Sequence, residues 1–134
     1  MKKQQRVLTG ITTSGEPHLG NLVGAILPAI HASNQPDTAS FLFLADYHSL
    51  IKNTDSDLTH TSSLEIAACW LACGLDPDKV TFYRQSDIPH IFELAWVLSC
   101  LTSKGLLNRA HAYKAAISEN EQQGIKDQDK GITM

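Results

Sequence analysis

The chain has 134 residues, a formal net charge of −3 and 43% hydrophobic residues, enough for one domain with its own core. No apolar stretch approaches the ~20 residues of a membrane span, and Lys2, Lys3 and Arg6 precede no apolar signal core, so a cytoplasmic protein is expected. The slight negative balance excludes a chain-wide basic surface for nucleic acid.

Arg6 to Ile11 reads as a short buried strand ending in the turn-forming Thr12-Thr13-Ser14-Gly15. Leu22 to His31 is apolar almost all round and reads as a buried helix. Pro28 sits inside it and clashes with the Gly24 carbonyl, so a kink or a late helix start is expected. Phe41 to Ala45 is an unbroken apolar run, which fits a parallel strand covered on both faces. It stops at Asp46-Tyr47-His48, the carboxyl end where open α/β sheets hold ligands.

Asn53-Thr54-Asp55-Ser56-Asp57 is a capping cluster ahead of a helix from Leu58 to Cys73, stopped by Gly74 and Pro77. Val80 to Arg84 is a third strand. Ser86 or Asp87 is then expected to cap a helix starting near Pro89, with Ile91, Leu94, Leu98 and Leu101 on one face. A last helix is predicted from Leu106 to Ile117, and polar Ser118 to Lys130 reads as a mobile loop. Trp70 and Trp96 lie at helical core spacing and are expected to pack. Strand and helix alternate three times, which predicts a parallel α/β layer fold with right-handed crossovers. Gly131-Ile132-Thr133-Met134 looks like the start of another apolar element, so the sequence reads as cut rather than finished.

Cys69, Cys73 and Cys100 are odd in number, and no further Cys or His stands at a zinc spacing. Reduced thiols and no metal site are expected. Lys104, Arg109 and Lys114 fall in a stretch without carboxylates between Glu93 and Glu119. That stretch is either an anion-facing surface or a solvated helical face.

Gly10, Gly15, Gly20 and Gly24 punctuate the first strand–helix junction. Glycines there let a large ligand approach the backbone, and a helix start attracts phosphate. Pro17-His18-Leu19-Gly20-Asn21 adds an imidazole and an amide that can donate hydrogen bonds to a triphosphate. The rival reading is a glycine-rich turn that only packs helix on strand. Neither the dinucleotide nor the P-loop spacing is present. His48, after an apolar strand, is either a ligand contact or a satisfied core histidine.

Gly10-Ile11-Thr12-Thr13-Ser14-Gly15-Glu16-Pro17-His18-Leu19-Gly20-Asn21 resembles the class I aminoacyl-tRNA synthetase signature in its tryptophanyl form, which ends in Gly-Asn. The resemblance continues, in order, through Ala45-Asp46-Tyr47-His48, Gly74-Leu75-Asp76-Pro77, Gln85-Ser86-Asp87-Ile88-Pro89 and Asn108-Arg109-Ala110-His111-Ala112-Tyr113-Lys114. It implies a Rossmann-like catalytic domain, a parallel sheet with helices on both faces, incomplete at the C-terminus. It further implies activation of L-tryptophan by ATP with Mg²⁺ on the triphosphate, then transfer to tRNA(Trp), in a cytoplasmic homodimer. By resemblance, Thr12, Thr13, Ser14 and Gly20 would line the ATP site, and His18, Asn21 and Lys114 would serve the reaction. Leu8, Gly10 and His48 would border the tryptophan pocket. His18 stands where many relatives have Thr, and Ala116 stands where many have a second Lys. The indole-reading acid, the Lys-Met-Ser-Lys-Ser loop and the anticodon-reading helical domain are expected beyond Met134, so the 134 residues alone are expected to be inactive. A tyrosyl-tRNA synthetase and a non-catalytic truncated paralogue that binds nucleotide or a partner protein are the alternatives.

Overall fold

The three apolar runs pair into one parallel sheet in spatial order β1 (Gln5–Thr12), β2 (Thr38–Ala45), β3 (Val80–Arg84). A computed structural model describes residues 4–131, so Ile132-Thr133-Met134 of the closing apolar block lie outside the described residues. The chain divides into two units, Met1–Ile88 and Pro89–Met134.

In the first unit β2 is central. Register pairs Gly10 with Phe43 and Thr12 with Ala45 on one side, and Leu44 with Arg84 on the other. Side chains alternate across a strand, so Leu42 and Leu44 share a face and are 0% and 5% exposed. They join Ile11, Ile26, Ile30, Ile66 and Trp70 in one core cluster. Trp70 stacks obliquely on Phe82, ring centres 5.8 Å apart. The strands advance β1 to β2 to β3, so two right-handed crossovers must lie on the same face. The single cluster agrees with that. Phe43 and Tyr83 occupy the opposite face, their rings 5.9 Å apart. The parallel α/β sheet is as expected, while β1, an edge strand, is less buried than expected; Leu8 is 66% exposed.

The first crossover is not one regular helix. A single turn α1 (Leu19–Asn21) passes into a π-helical stretch at Leu22–Ile26 and then α2 (Leu27–Ser33). The Leu27 N–H donates to the Leu22 carbonyl, five residues back, just before Pro28. That widened turn is the kink Pro28 requires, since its ring cannot fit the ordinary four-residue ladder. The segment is also not buried all round: Val23 and Leu27 are exposed, and only the stripe of Ile26, Ala29 and Ile30 enters the core.

After β2 comes the short α3 (Asp46–Ser49), then α4 (Ser56–Ala72). Asp55 caps α4 by accepting from the Asp57 and Leu58 N–H groups. A single-turn 3₁₀ segment, Pro77–Lys79, leads into β3, and another, Gln85–Asp87, follows it.

The second unit contains α5 (His90–Leu101), α6 (Lys104–Leu107) and α7 (His111–Gln122). Neither Ser86 nor Asp87 caps α5; Pro89 stands at the cap position without a side-chain bond. Ser86 turns to Asp46 and Asp87 to Arg84 instead. The predicted Leu106–Ile117 helix is interrupted at Asn108, and Ser118–Gln122, expected in the loop, extend α7, where Glu and Gln favour helix. The segment beyond is tied back, with Asn120 donating to the Gln128 and Lys130 carbonyls at 2.8 and 3.1 Å. Trp96, expected to pack, is 73% exposed, and Leu94, Val97, Leu98 and Leu101 are exposed with it.

The glycines of the first junction divide by crowding. A Cβ on Gly10 would stand 2.7 Å from the Phe43 ring and 2.7 Å from its carbonyl oxygen, whereas Gly24 has open space. Gly10→Ala is therefore expected to lower stability by about 1–3 kcal/mol through strain across the β1–β2 pairing. Gly24→Ala should leave it unchanged or raise it by about 0.5–1 kcal/mol. Urea unfolding midpoints of the two variants check the contrast.

Candidate functional site

At the carboxyl end of β1 the chain turns away from the sheet and opens a cleft of about 400 Å³. Gly10, Ile11, Thr12, Ser14, His18 and Asn21 are among the residues lining it. Thr13 does not join them; it is fully buried, and its hydroxyl has no hydrogen-bond partner among the described residues.

His18 and Asn21 close the start of α1 on each other. The Gly20 N–H donates to His18 Nδ1 at 3.1 Å, and the His18 N–H donates to Asn21 Oδ1 at 3.0 Å. This reciprocal cap fixes polarity. With Nδ1 accepting, a neutral His18 carries its hydrogen on Nε2, and Asn21 keeps both amide hydrogens. The donor ends have no recorded partner among the described residues, and the two side chains stand on one cleft. Gly20 makes this possible: a Cβ there would come within 2.9 Å of the His18 ring. The arrangement suits an anion that accepts several hydrogen bonds.

The carboxyl ends of β2 and β3 are stitched together beside this cleft. The Asp46 carboxylate accepts from the Ser86 backbone N–H at 3.0 Å, from the Ser86 hydroxyl, and from the Tyr47 N–H at 3.1 Å. Gln85, 7% exposed, places Oε1 2.9 Å from His48 Nδ1. Arg84 and Asp87 pair at 2.7 Å across the same turn. The hydrogen bond from the Arg84 guanidinium holds the Asp87 carboxyl below the usual carboxylate range. A second cavity of about 250 Å³ opens here, with Asp46, Tyr47, Thr59, His60, Arg84 and Ser86 among its lining.

Of the residues expected to form the site, the structure brings Gly10, Thr12, Ser14, His18 and Asn21 together, with Gly20 beneath the His18 ring. Leu8, on exposed β1, and His48, on α3, are not part of that lining. Lys114 is an exposed residue of α7 in the second unit, where Lys104 meets Asp129 at 3.9 Å and the Tyr113 hydroxyl donates to Asp129. That bond raises the Tyr113 pKa. Among the described residues no group of three or more His, Cys, Asp or Glu is placed to hold a metal, and burial pushes the Cys69 thiol up. The sequence marked Gln85-Ser86-Asp87 as a family-like block and Ser86 or Asp87 as caps, but not the bonds they make. Gln85 meets His48 and Ser86 meets Asp46 across 37 and 40 positions, while Asp87 turns back to Arg84 three residues away.

Over residues 1–130 the chain matches the family described as tRNA synthetases class I (W and Y). It is 60% identical over 131 residues to a tryptophan–tRNA ligase of Neisseria meningitidis, covering 98% of this chain and 39% of that protein. With a tryptophan–tRNA ligase of Xanthomonas campestris the identity is 64% over 133 residues, 99% of this chain and 31% of the relative. Among solved structures, a tryptophanyl-tRNA synthetase from Campylobacter jejuni superposes with a TM-score of 0.77 at 40% identity, over 87% of this chain and 36% of that one. Another from the same organism, complexed with ADP and tryptophan, gives 0.75 at 41%, over 86% and 35%. The chain therefore spans about a third of the length of these relatives.

Two outcomes test the stitched strand ends. Asp46→Ala should cost about 1.5–3 kcal/mol, since the Ser86 N–H loses a charged acceptor; thermal unfolding measures it. The folded pKa of Asp87 is depressed, so its pairing stabilises above the unfolded value of about 4 and is lost as pH falls through the depressed value. Both partners are nearly half exposed, which limits the contribution to under about 1 kcal/mol. Asp87→Asn should flatten that part of the acid limb in unfolding curves taken between pH 5 and 2.

Proposed function

For a chain that belongs to the class I tRNA synthetases of the W and Y type, we propose that the protein activates L-tryptophan with ATP and transfers it to tRNA(Trp). The β1 cleft then receives the triphosphate. The observation that carries this reading is the pair of donor ends, His18 Nε2–H and Asn21 Nδ2–H₂, presented together above a glycine-floored turn.

In the reaction, the tryptophan carboxylate attacks the α-phosphorus of ATP in line. The bond to the bridging oxygen breaks, and pyrophosphate leaves with its electron pair. The protein forms no covalent bond, so rate comes from positioning and from stabilising charge on the phosphate oxygens. His18 and Asn21 donate to those oxygens, Gly20 and Gly10 keep side chains out of their way, and Thr12 and Ser14 supply hydroxyl and backbone contacts. Magnesium, taking its oxygen ligands chiefly from phosphates and water, neutralises the triphosphate when bound. Glu16 is the carboxylate among the described lining residues, so the donor set suits a metal carried by the nucleotide rather than by a protein cage. Lys114 of α7 is the further cation that the family resemblance assigns to the reaction. Leu8, Gly10 and His48 form the wall of the amino-acid pocket. A ribose hydroxyl of the terminal adenosine of tRNA then attacks the acyl carbonyl of the adenylate; the acyl–phosphate bond breaks, AMP leaves, and the hydroxyl proton is lost.

A homodimer in the cytoplasm belongs to the same reading. No helix among the described residues is long and apolar enough to cross a membrane. The family description includes tyrosine enzymes, and the names of the relatives favour tryptophan.

The protein at its full natural length is expected to catalyse ATP–pyrophosphate exchange that depends on tryptophan and not on tyrosine. His18→Ala should lower the exchange rate by about 10- to 100-fold, the loss of one donor aimed at developing charge. Exchange driven by tyrosine alone, or unchanged in the His18 variant, would overturn the assignment.

A further inference from the structure

His48 and Gln85 come from different strand ends, 37 positions apart, and meet at 2.9 Å between Nδ1 and Oε1. With the Gln85 amide oxygen facing the ring, and an amide oxygen able only to accept, this arrangement puts the hydrogen on Nδ1 and leaves a lone pair on Nε2 of the neutral ring. Gln85 is not an adjustable surface side chain. It is buried at the first position of the Gln85–Asp87 turn, and that turn is anchored through Ser86 to Asp46 and through Asp87 to Arg84. Asp46 immediately precedes Tyr47 and His48 on α3, so one carboxylate ties down both partners of the contact.

The contrast with His18 gives the contact its meaning. His18 accepts at Nδ1 from Gly20 and therefore donates from Nε2. His48 donates at Nδ1 and therefore accepts at Nε2. Two histidines at the ends of adjacent strands are thus held in opposite tautomers by fixed neighbours. A donor suits an anionic phosphate. An acceptor suits the α-ammonium or the indole N–H of an amino acid, which offer only hydrogens. Were His48 in the other tautomer, donor would face donor, and a substrate hydrogen bond would be lost.

We propose that Gln85 is a positioning residue for the amino-acid substrate, locking His48 as the Nδ1–H tautomer so that Nε2 accepts from a substrate N–H. The proposal rests on the reading of His48 as a wall of the amino-acid pocket. Truncating Gln85 frees the ring to populate both tautomers. Binding of the amino acid then weakens, while chemistry at the phosphorus, which His48 does not touch, is largely spared.

The test uses the full natural-length protein labelled with ¹⁵N-histidine at pH 8, with two-bond ¹⁵N–¹H correlations to read each ring. Wild type should show Nδ1–H for His48 and Nε2–H for His18. Gln85→Leu should mix the His48 tautomers and raise the KM for tryptophan in pyrophosphate exchange about two- to tenfold, the weight of one neutral hydrogen bond. Its kcat should stay within about twofold. Gln85→Glu, which keeps an acceptor oxygen, should restore both the tautomer and the KM. An Nε2–H tautomer for His48 in wild type overturns the proposal and needs no variant to fold. So does an unchanged KM in the Leu variant, or a Glu variant that behaves like Leu. Wild-type exchange with tyrosine in place of tryptophan would instead sink the substrate reading, and the tautomer measurement stands apart from it.

Discussion

Three parallel strands bring their carboxyl ends to one edge, and the Asp46 carboxylate is what keeps two of those ends together. It lies directly after the central strand and accepts from both the backbone and the hydroxyl of Ser86 after β3. A parallel sheet has no hairpin turn to fix neighbouring ends, since each connection leaves for the far side of the molecule. The ladder hydrogen bonds align the strands, but the turns beyond them need their own ties. Asp46 supplies one, Arg84–Asp87 another, and Gln85 with His48 a third.

The same edge explains the split among the glycines. Gly10 sits across the ladder from Phe43, where any side chain would strike ring and backbone, so its requirement is internal to the sheet. Gly20 is needed because the His18 ring folds back over it to reach its N–H. Gly24 faces open space and answers neither need. A pattern that looks uniform in the sequence thus serves separate ends: Gly10 serves both sheet and cleft lining, and Gly20 the His18 cap.

Pro28 shows how a local constraint is absorbed rather than obeyed. Its clash with the preceding turn could have broken the crossover in two. Instead the backbone widens by one residue over Leu22–Ile26, and Ile26, Ala29 and Ile30 still reach Leu42 and Leu44. Burial of that stripe holds a distorted helix where propensity alone would not.

The sequence by itself determined the strands, the α4 helix with its capping cluster, and the cluster of His18, Asn21 and glycines at the end of β1. These follow from short-range rules: apolar runs, turn residues and capping spacings act over a few positions. It also marked His48, without saying which of its nitrogens would carry the hydrogen. Tertiary structure alone decided that Ser86 would turn to Asp46 and Gln85 to His48, and that Trp70 would become the core. Those outcomes depend on partners brought close by the ordering of strands, some of them 37 to 40 positions apart, and no local pattern carries that distance.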